Sequence, residues 1–304
     1  MKIVILDAYT VQLDDLEWTE LEELGELVTY PRIAQEEVAE AIGTAELALF
    51  TSKVKITREI MDACPKLKFI GVTATGYDNI DIEAAGERGI AVCNVPAYST
   101  EAVAQHCFAL ILEICNNVGA YTQLVHAHRW ESSEDFTFIE KPVLQLSGRS
   151  LGIIGYGSIG KRVAEIAEAF GMQVNIYSRD PDAALSSDIV SLHCPATADN
   201  LGFVNKSLIS RMKDGAILIN TARGALLNEE DVVAALESGK LAAAAVDVVN
   251  GEPPRSGHPF IGAKNLYITP HIAWSPREAR EIICKTSAEN LKSFLSGGKL
   301  NRIV

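Results

Sequence analysis

The sequence predicts an α/β protein built from two doubly wound domains, each with a parallel sheet. Short apolar runs alternate with amphipathic segments of helical period along nearly the whole chain, and such alternation is typical of parallel sheets covered by helices on both faces. A glycine-rich turn, GYGSIG at 155–160, follows an apolar run in the second half, whereas the first hundred residues contain no such turn. A length of 304 residues accommodates two domains of ordinary size.

The first hundred residues predict five strands with helices between them. The strands are the apolar runs KIVILDA, ELVTYP, ALFTS, LKFIGVTAT and IAVCNVP. The segment LEWTELEEL at 16–24 predicts an amphipathic helix, and QEEVAEAI, TREIMDAC and DIEAAGERG predict further helices. Thr57 and Asp81 are the expected N-caps of the last two, and Gly89 is the expected end of the last one.

A longer helix and an arm separate the two predicted sheets. The helix is expected from about Thr100 to Asn117, because apolar side chains recur there on one stripe. Residues 119–147 predict no regular element, and the stretch RWESSEDFTFIEKP at their centre indicates an exposed arm. The stripe consists of Val103, Cys107, Leu110, Ile111 and Ile114.

The second alternating region begins just before the glycine-rich turn. Its expected strands are LGIIGYG, QVNIYS, IVSLHCP, AILINTA and AAAVDVV, and the helix after the first of them ends at Gly171. Asn228 is expected to open a helix with an acidic first turn, which suits the positive end of the helix dipole. Ser275 and Glu278 predict a capping box for the final helix, with Pro276 as its first residue.

One connection in the second region is unusually short. Only ten residues, RDPDAALSSD at 179–188, separate the strand that ends near Ser178 from the next one. A doubly wound dinucleotide-binding fold has two helices and a third strand in this place. Ten residues reach far enough to join the two strands but cannot form those three elements. Either the protein lacks an edge strand or a segment is missing from this sequence, and the regularity of the fold favours the second interpretation.

Charge and composition exclude several classes of protein. The net charge of −13 repels phosphate backbones, so a nucleic-acid partner is not expected, and a small anionic substrate needs a local cationic anchor. The 48% of hydrophobic and 22% of charged residues indicate a globular protein rather than a disordered one. The six cysteines contain no C-x-x-C pair, and no signal peptide or membrane span is predicted. We therefore expect a reduced, cytoplasmic protein without a membrane partner.

The turn GYGSIG matches the pattern G-x-G-x-x-G in the context expected of a dinucleotide site, after an apolar strand and at the start of a helix. Gly155 permits the tight turn, Gly157 lets the backbone approach a pyrophosphate, and Gly160 lets the helix pack on the strand. The exposed N–H groups at the helix start then face the anion. A glycine-rich turn with a purely structural role is the weaker interpretation.

The residues after the next strand, Ser178, Arg179 and Asp180, bear on the choice of cofactor. An acidic residue at this place binds the adenosine ribose of NAD and repels the 2′-phosphate of NADP. Arg179 can pair with a 2′-phosphate and Ser178 can donate a hydrogen bond to it, which favours NADP. A small shift of the turn would instead put Asp180 on the ribose, so NAD stays open, and Arg179 can also be a solvated loop residue.

Three polar residues follow other strands of the second region: Arg223, Glu252 and His271. Because the carboxyl ends of parallel strands meet at one edge of a sheet, we expect them in one crevice. A guanidinium can hold a carboxylate and polarise a carbonyl, a histidine can deliver a proton, and a neighbouring carboxylate can fix the histidine tautomer. Reduction of a 2-keto acid requires this combination. Each residue alone also has a structural interpretation, as a surface ion pair, a solvated acid or a core histidine.

Several long motifs occur in an order typical of one enzyme family. They are ATGYDNID (74–81), GYGSIG, SDIVSLHCP (187–195), MKDGAILINTARGALLNEEDVVAAL (212–236), VDVVNGEPP (246–254) and TPHIAW (269–274). Through them the chain resembles the D-2-hydroxyacid dehydrogenases over essentially its whole length. Within that family it is most similar to glycerate dehydrogenases, which are hydroxypyruvate reductases, in the stretches NVPAYSTEAVAQH (94–106), RWESSEDF (129–136) and PHIAWSPREAR (270–280).

The resemblance implies a division of the chain. A flavodoxin-like substrate domain is expected at 1–98 and 275–304, with a Rossmann NAD(P)-binding domain at 99–274 inserted into it. The resemblance also implies a homodimer formed through the nucleotide domain, by the helix of residues 100–118 and the arm of residues 119–147.

The resemblance further implies roles for particular residues. Arg223 would bind the carboxylate and carbonyl oxygens of the substrate, and Glu252 would pair with His271, the general acid and base. Backbone N–H groups of Thr75 and Gly76 would also bind the carboxylate. Trp274 would shape the substrate pocket or lie at a domain interface.

The expected cofactor contacts fall into three groups. They are Gly157, Ser158 and Ile159 at the pyrophosphate, Cys194, Pro195 and Thr221 along the ribose path, and Asp247 at the carboxamide.

The implied activity is NAD(P)-dependent reduction of hydroxypyruvate, and of glyoxylate, to D-glycerate and glycolate. The same chemistry on pyruvate, 3-phosphohydroxypyruvate or a branched-chain keto acid is the first alternative, and a nucleotide-sensing interaction protein without turnover is the second. A metal site is not expected, because His126 and His128 have no carboxylate or cysteine at ligand spacing. The short connection after Asp180 departs from the family pattern, as do Ser178 and Arg179 where strictly NAD-dependent members have an aspartate.

Overall fold

The structure of the protein is a computed structural model that describes residues 1–13 and 15–304. The chain divides into two compact units, one formed by Met1–Ser99 with Ser275–Val304 and the other by Thr100–Trp274. Each unit contains one parallel sheet whose strands are joined by helical connections. The predicted α/β class with two parallel-sheet domains is therefore confirmed.

The first unit contains five parallel strands: β1 (Lys2–Leu6), β2 (Glu26–Tyr30), β3 (Leu47–Phe50), β4 (Phe69–Val72) and β5 (Ala91–Cys93). Their order in the sheet is β2-β1-β3-β4-β5. The inner strands β3 and β4 are buried along their full length, as expected where helices cover both faces of a parallel sheet.

The helices of the first unit are α1 (Tyr9–Gln12), α2 (Thr19–Glu22), α3 (Val38–Ile42), α4 (Arg58–Ala63), α5 (Ile82–Glu87) and the C-terminal α12 (Arg277–Leu295). Asp81 caps α5 as predicted, since its Oδ1 accepts a backbone N–H at 2.8 Å. Thr57 occupies the N-cap of α4 but makes no side-chain cap hydrogen bond. The helix predicted at 16–24 is limited to the single turn of α2.

The predicted capping box of the final helix is wrong. Pro276 is the N-cap of α12, with an extended backbone at ψ 147°, and no side chain caps the helix. The helix therefore starts one residue later than the prediction required. Ser275 and Glu278 no longer occupy the N-cap and third helical positions that a capping box needs.

The second unit contains six parallel strands: β6 (Ser150–Ile154), β7 (Gln173–Ile176), β8 (Ile189–Leu192), β9 (Ala216–Asn220), β10 (Leu241–Val246) and β11 (Leu266–Ile268). Their order is β11-β10-β9-β8-β6-β7. The chain crosses from β7 over β6 to β8, which is the reversal of strand order that creates a ligand-binding crevice in doubly wound sheets. Two separate apolar clusters cover the two faces of this sheet.

The helices of the second unit are α6 (Thr100–Asn116), α7 (Val118–His126), α8 (Ser158–Ala169), α9 (Pro181–Leu185), α10 (Lys206–Arg211) and α11 (Glu229–Glu237). Asn228 caps α11 as predicted. The expectation of an irregular segment at 119–147 is wrong for its first part, which forms α7. None of the α7 side chains is buried. A helix that buries no face needs no stripe of apolar side chains, and such a stripe was the pattern that predicted the longer helix before it.

The short connection between β7 and β8 forms α9. Asp180 caps this helix, with its Oδ1 accepting the N–H of Ala183 at 3.0 Å. A Cβ atom at Gly152 in β6 would lie 2.0 Å from the carbonyl oxygen of Ala184, so α9 packs directly on the strand. Among the described residues, β7 is one of the two edge strands of this sheet and pairs with β6 alone. One short helix thus replaces the two helices and the third strand of the usual fold.

Gly152→Ala is expected to destabilise the protein by about 3 kcal/mol, because the added Cβ requires α9 to move away from β6. Urea unfolding followed by circular dichroism measures this free energy. Gly157→Ala is the matched control, since a Cβ at Gly157 meets no atom within 4 Å. Equal unfolding midpoints for the two variants would contradict the close packing of α9.

Two global features concern membranes and metals. Within residues 1–13 and 15–304, no helix is both long and apolar enough to cross a membrane. The same residues contain no group of three His, Cys, Asp or Glu side chains that could hold a metal ion. His128 instead pairs with Glu131, at 2.9 Å on the exposed arm.

Candidate active site

The predicted reactive residues all follow strands at the carboxyl edge of the second sheet. The GYGSIG turn follows β6, Arg223 follows β9, Glu252 lies in the loop after β10 and His271 lies in the loop after β11. The three reactive residues therefore come from three adjacent strands. This edge is where open α/β sheets bind their ligands.

His271 and Glu252 form the central pair. Nδ1 of His271 lies 2.6 Å from Oε2 of Glu252, and Oε1 of Glu252 accepts the N–H of Val249 at 3.0 Å. Burial raises the pKa of Glu252, but the bonds to His271 and Val249 and the charge of Arg223 lower it below the ordinary 4.5. Glu252 is thus an ionised acceptor at neutral pH. It favours a proton on Nδ1 of His271 and leaves Nε2 as the atom that can exchange a proton with a substrate.

The loop after β11 holds His271 in an uncommon backbone conformation. Its φ of +54° lies in the left-handed region that residues other than glycine rarely adopt. Asp247 stabilises this conformation, since its carbonyl accepts the His271 N–H at 2.7 Å. The Asp247 carboxylate is buried and accepts the N–H groups of Ile272 and Ala273 at 2.9 and 2.8 Å. Its predicted contact with a carboxamide stays a prediction.

Arg223 is presented by a turn that the side chain of Asn220 closes. Nδ2 of Asn220 donates to the carbonyl of Arg223 at 2.9 Å, and its Oδ1 accepts the N–H of Ala222 at 3.0 Å. Asn220 is fully buried at the end of β9, so it fixes the direction in which the chain leaves the sheet. Arg223 is half-buried and its charge acts on Glu252. The structure therefore brings the three predicted reactive residues together.

The GYGSIG turn has the geometry of a dinucleotide site. Gly155 has φ +98°, and a Cβ there would lie 2.4 Å from the backbone nitrogen of Cys194. A Cβ at Gly160 would lie 2.1 Å from the carbonyl oxygen of Gly155, so no larger residue fits either position. Gly157, by contrast, faces open space and begins the twelve-residue α8. Ser158 and Ile159 form the first turn of that helix, whose N–H groups suit a pyrophosphate.

Two buried polar atoms lie after the neighbouring strands β8 and β9. Oγ1 of Thr221 and Nδ1 of His193 are buried without a hydrogen-bond partner among the described residues. Such orphaned atoms are rare unless a water or ligand completes them. Burial lowers the pKa of His193 to about 4, so this histidine is neutral at pH 7. The glycine cradle at the start of α8 has the open space and the N–H groups that a dinucleotide pyrophosphate needs.

The residues after β7 lie at the other end of the nucleotide crevice. Ser178 and Arg179 are exposed, and the Arg179 guanidinium lies 5.3 Å from the centre of the Tyr156 ring in the glycine-rich turn. Asp180 caps α9, which occupies one carboxylate oxygen and directs the side chain toward the helix start.

The remaining predicted site residues lie near the same loops or in the first unit. Cys194 and Pro195 follow β8, and burial raises the pKa of the Cys194 thiol. Trp274 is half-buried at the end of the second unit. In the first unit, Thr75 follows β4 and its Oγ1 donates to the carbonyl of Val95 at 2.9 Å. Gly76 is the half-buried residue that follows it.

Four polar residues support these loops without having been predicted as site residues. Asn220 closes the Arg223 turn, and His106 of α6 places Nε2 2.9 Å from Oγ1 of Thr269, beside the His271 loop. Glu229 and His258 form a buried pair at 3.1 Å. For Asn220 the available signal was a polar residue at the end of the apolar run AILIN. Glu229 was expected only as an acid in the first turn of the helix after Asn228, and nothing local marks His106 or His258.

Comparison with known proteins gives consistent results. Residues 108–273 match the model of the NAD-binding domain of D-isomer specific 2-hydroxyacid dehydrogenases. The chain is 44% identical to a hydroxypyruvate reductase of Blautia hydrogenotrophica over 319 aligned residues, which cover 99% of each chain. It is 36% identical to a glycerate dehydrogenase of Methylorubrum extorquens over 276 residues, 88% of each chain.

A solved structure has the same fold over the full length. The acyclic imino acid reductase Bsp5, in complex with NADPH and D-Arg, superimposes with a TM-score of 0.86 at 29% identity and 100% coverage of both chains. The matched family model covers residues 108–273, and the relative at 44% identity is covered over 99% of both chains. The chain belongs to the family of D-isomer-specific 2-hydroxyacid dehydrogenases.

Proposed function

We propose that this protein reduces hydroxypyruvate to D-glycerate, and glyoxylate to glycolate, with a nicotinamide dinucleotide. The observation that carries the proposal is the 2.6 Å His271–Glu252 pair with the charge of Arg223 beside it. The similarity to a hydroxypyruvate reductase across 99% of both chains supports this choice of keto acid.

The chain's own residues account for binding and proton transfer. Arg223 would hold the substrate carboxylate and polarise the carbonyl oxygen, where negative charge develops during reduction. His271 would donate the proton to that oxygen from Nε2, while Glu252 stabilises the imidazolium through Nδ1. Gly157, Ser158 and Ile159 would hold the pyrophosphate and Thr221 the ribose. When bound, the nicotinamide supplies the electron pair of the reduction.

Initial rates of NADH and NADPH oxidation with hydroxypyruvate, glyoxylate and pyruvate test the substrate. We expect hydroxypyruvate to exceed pyruvate at least tenfold in kcat/KM. Preference for pyruvate, a branched-chain keto acid or 3-phosphohydroxypyruvate would replace the substrate but keep the chemistry. Nucleotide binding without turnover of any keto acid would instead favour a sensing protein.

We propose NADPH as the preferred cofactor. Arg179 is exposed next to Ser178, while Asp180, the residue that could repel a 2′-phosphate, caps α9. Arg179→Ala is expected to lower the ratio of kcat/KM for NADPH over NADH about tenfold, since one phosphate–guanidinium contact is lost. Arg149 directly precedes the first residue of β6, at the end of the strand away from the glycine-rich turn. Arg149→Ala is therefore the matched control and should keep the wild-type ratio. An unchanged ratio in Arg179→Ala would contradict the assignment.

We further propose a role for each unit. The unit of Met1–Ser99 with Ser275–Val304 would be the substrate domain, whose Thr75 and Gly76 N–H groups bind the carboxylate, and Thr100–Trp274 the NAD(P)-binding domain. Asp247 would meet the carboxamide and Trp274 would shape the substrate pocket.

We propose a homodimer formed through α6 and the arm that follows it. The arm exposes large apolar side chains, including Phe136 at 90% and Ile139 at 76% of their surface, and a second copy would cover them. Light scattering should give twice the chain mass of 32.9 kDa for the wild type and the chain mass for a Phe136→Asp, Ile139→Asp variant. A monomeric wild type would contradict the proposal.

A further inference from the structure

A second carboxylate–imidazole pair lies behind the active-site loop of the second unit. Nε2 of His258 is 3.1 Å from Oε2 of Glu229, and the two side chains are only 8% and 7% exposed. Glu229 is the first residue of α11, where the helix dipole favours a negative charge. Burial of a carboxylate is costly unless its oxygens are compensated. Oε1 of Glu229 accepts a backbone N–H, and Oε2 faces the imidazole of His258.

The pair holds the peptide groups on both sides of Asn250. Oε1 of Glu229 accepts the Asn250 N–H at 2.8 Å, and Nε2 of His258 is 3.3 Å from the Asn250 carbonyl oxygen. Nδ1 of His258 accepts the N–H of Phe260 at 3.3 Å. Because Nδ1 accepts a bond, the ring N–H belongs on Nε2, where it donates to the Asn250 carbonyl oxygen and lies beside Oε2 of Glu229.

The held peptide belongs to the loop that carries Glu252. The Val249 N–H, one residue before Asn250, bonds Oε1 of Glu252 at 3.0 Å. The other oxygen of Glu252 faces His271 at 2.6 Å. A displacement of the Val249–Asn250 peptide therefore turns the carboxylate away from the imidazole.

The same peptide also touches the segment that carries the substrate anchor. A Cβ at Gly224, next to Arg223, would lie 2.1 Å from the carbonyl carbon of Val249 and 2.6 Å from the nitrogen of Asn250. The Arg223 turn and the Glu252 loop are thus packed backbone to backbone. Their relative position depends on where the Asn250 peptide is held.

We propose that Glu229 and His258 are positioning residues, which set the distance and the tautomer of the Glu252–His271 pair through the Asn250 peptide. The inference rests on the proposed reductase function, because it concerns the residues that transfer the proton. Among the described residues, the hydrogen bonds and ion pairs of Glu229 and His258 reach the Asn250 peptide and not Glu252 or His271, so we expect both to act through the loop.

Glu229→Gln is the primary test, since it keeps the size of the side chain but sets an amide donor against the Nε2–H of His258. We expect kcat for hydroxypyruvate to fall about tenfold or more, with the Kd of the nucleotide changed less than twofold. In ¹⁵N spectra of histidine-labelled protein without ligands, His271 should change from the Nδ1–H form to a mixture of tautomers. His271→Gln assigns its signals.

A second route to the same defect keeps the test decisive if Glu229→Gln does not fold. His258→Leu should reproduce the loss of kcat and the mixed tautomer, whereas His258→Gln, whose amide can donate to Glu229, should restore both. Asp188→Asn is the structural control. Asp188 is a largely buried carboxylate that bonds Ser150 and Lys213. It directly precedes β8 and so lies at the amino ends of the strands, away from the active-site loops. Asp188→Asn should lower the Tm while kcat and the His271 tautomer stay as in the wild type.

Two outcomes overturn the inference. One is an unchanged kcat and an unchanged His271 tautomer in folded Glu229→Gln and His258→Leu, with a loss of Tm like that of Asp188→Asn. The other is an Nδ1–H form of His258 in the wild type. The tautomer spectra need no substrate, so failure of the proposed reductase activity in the wild type is recognised separately.

Discussion

His271→Gln is expected to lower kcat/KM for hydroxypyruvate reduction about 10²- to 10⁴-fold, the range that a general acid contributes. Glutamine keeps a polar side chain of similar length but cannot donate a proton to the carbonyl oxygen. The loss should fall on kcat, because the proposed ground-state contacts of the substrate carboxylate are with Arg223 and the N–H groups of Thr75 and Gly76, not with His271. Steady-state rates with NADPH measure this, and fluorescence titration should show wild-type nucleotide binding.

The pH dependence of the reduction rate gives a second test of His271 as the proton donor. In the wild type, reduction consumes a proton and should slow as the pH rises, while oxidation of D-glycerate releases one and should speed up. The hydrogen bonds to His271 and Val249 lower the pKa of Glu252, so this carboxylate loses its charge at a lower pH than an ordinary glutamate does. His271→Gln should flatten the alkaline fall.

His128→Gln is the matched control, because His128 lies on the exposed arm and bonds Glu131. It should keep wild-type rates and the wild-type pH profile. Near-normal activity in His271→Gln would remove His271 from the mechanism. The neutral His193, whose pKa is about 4, is not an alternative donor at pH 7.

Arg223→Ala is expected to lower kcat/KM at least about 10³-fold, because in the proposed mechanism one guanidinium would stabilise both the ground-state carboxylate and the developing charge on the carbonyl oxygen. KM should rise and kcat should fall together, which separates this variant from His271→Gln. Arg223→Lys should recover little activity, since an ammonium cannot form the paired hydrogen bonds of a guanidinium.

The control for this variant is Arg211→Ala, which removes an exposed arginine paired with Asp182. It should leave both constants unchanged. If Arg223→Ala raised KM alone, Arg223 would bind the carboxylate without polarising the carbonyl. If neither constant changed, another cation would have to anchor the acid.

Much of the active site could be predicted from sequence because its residues lie at strand ends within local motifs. A buried apolar run fixes where a parallel strand ends, and GYGSIG, Arg223, Glu252 and His271 follow such runs directly. Parallel pairing then brings them to one edge. Their proximity needs no knowledge of side-chain packing.

The parts that sequence could not predict depend on contacts between distant segments or on small shifts at helix ends. The bond from His258 to Glu229 joins two segments without any shared motif. Helix α12 begins one residue later than predicted, because Pro276 is its N-cap and not its first helical residue. The side chain of Asp180 points to the start of α9, which it caps. The close contact of this helix with Gly152 could not be predicted from a single sequence.

The edge position of β7 has a consequence for self-association. An edge strand offers unpaired backbone groups to strands of other molecules, and long apolar edges promote aggregation. β7 has only four residues, and two of them, Gln173 and Asn175, are polar. Asn175 is further bonded to Ser187 at 3.0 Å, within the same short connection. By ending on so short and polar a strand, the sheet offers neighbouring molecules little backbone with which to extend it into a larger, intermolecular sheet.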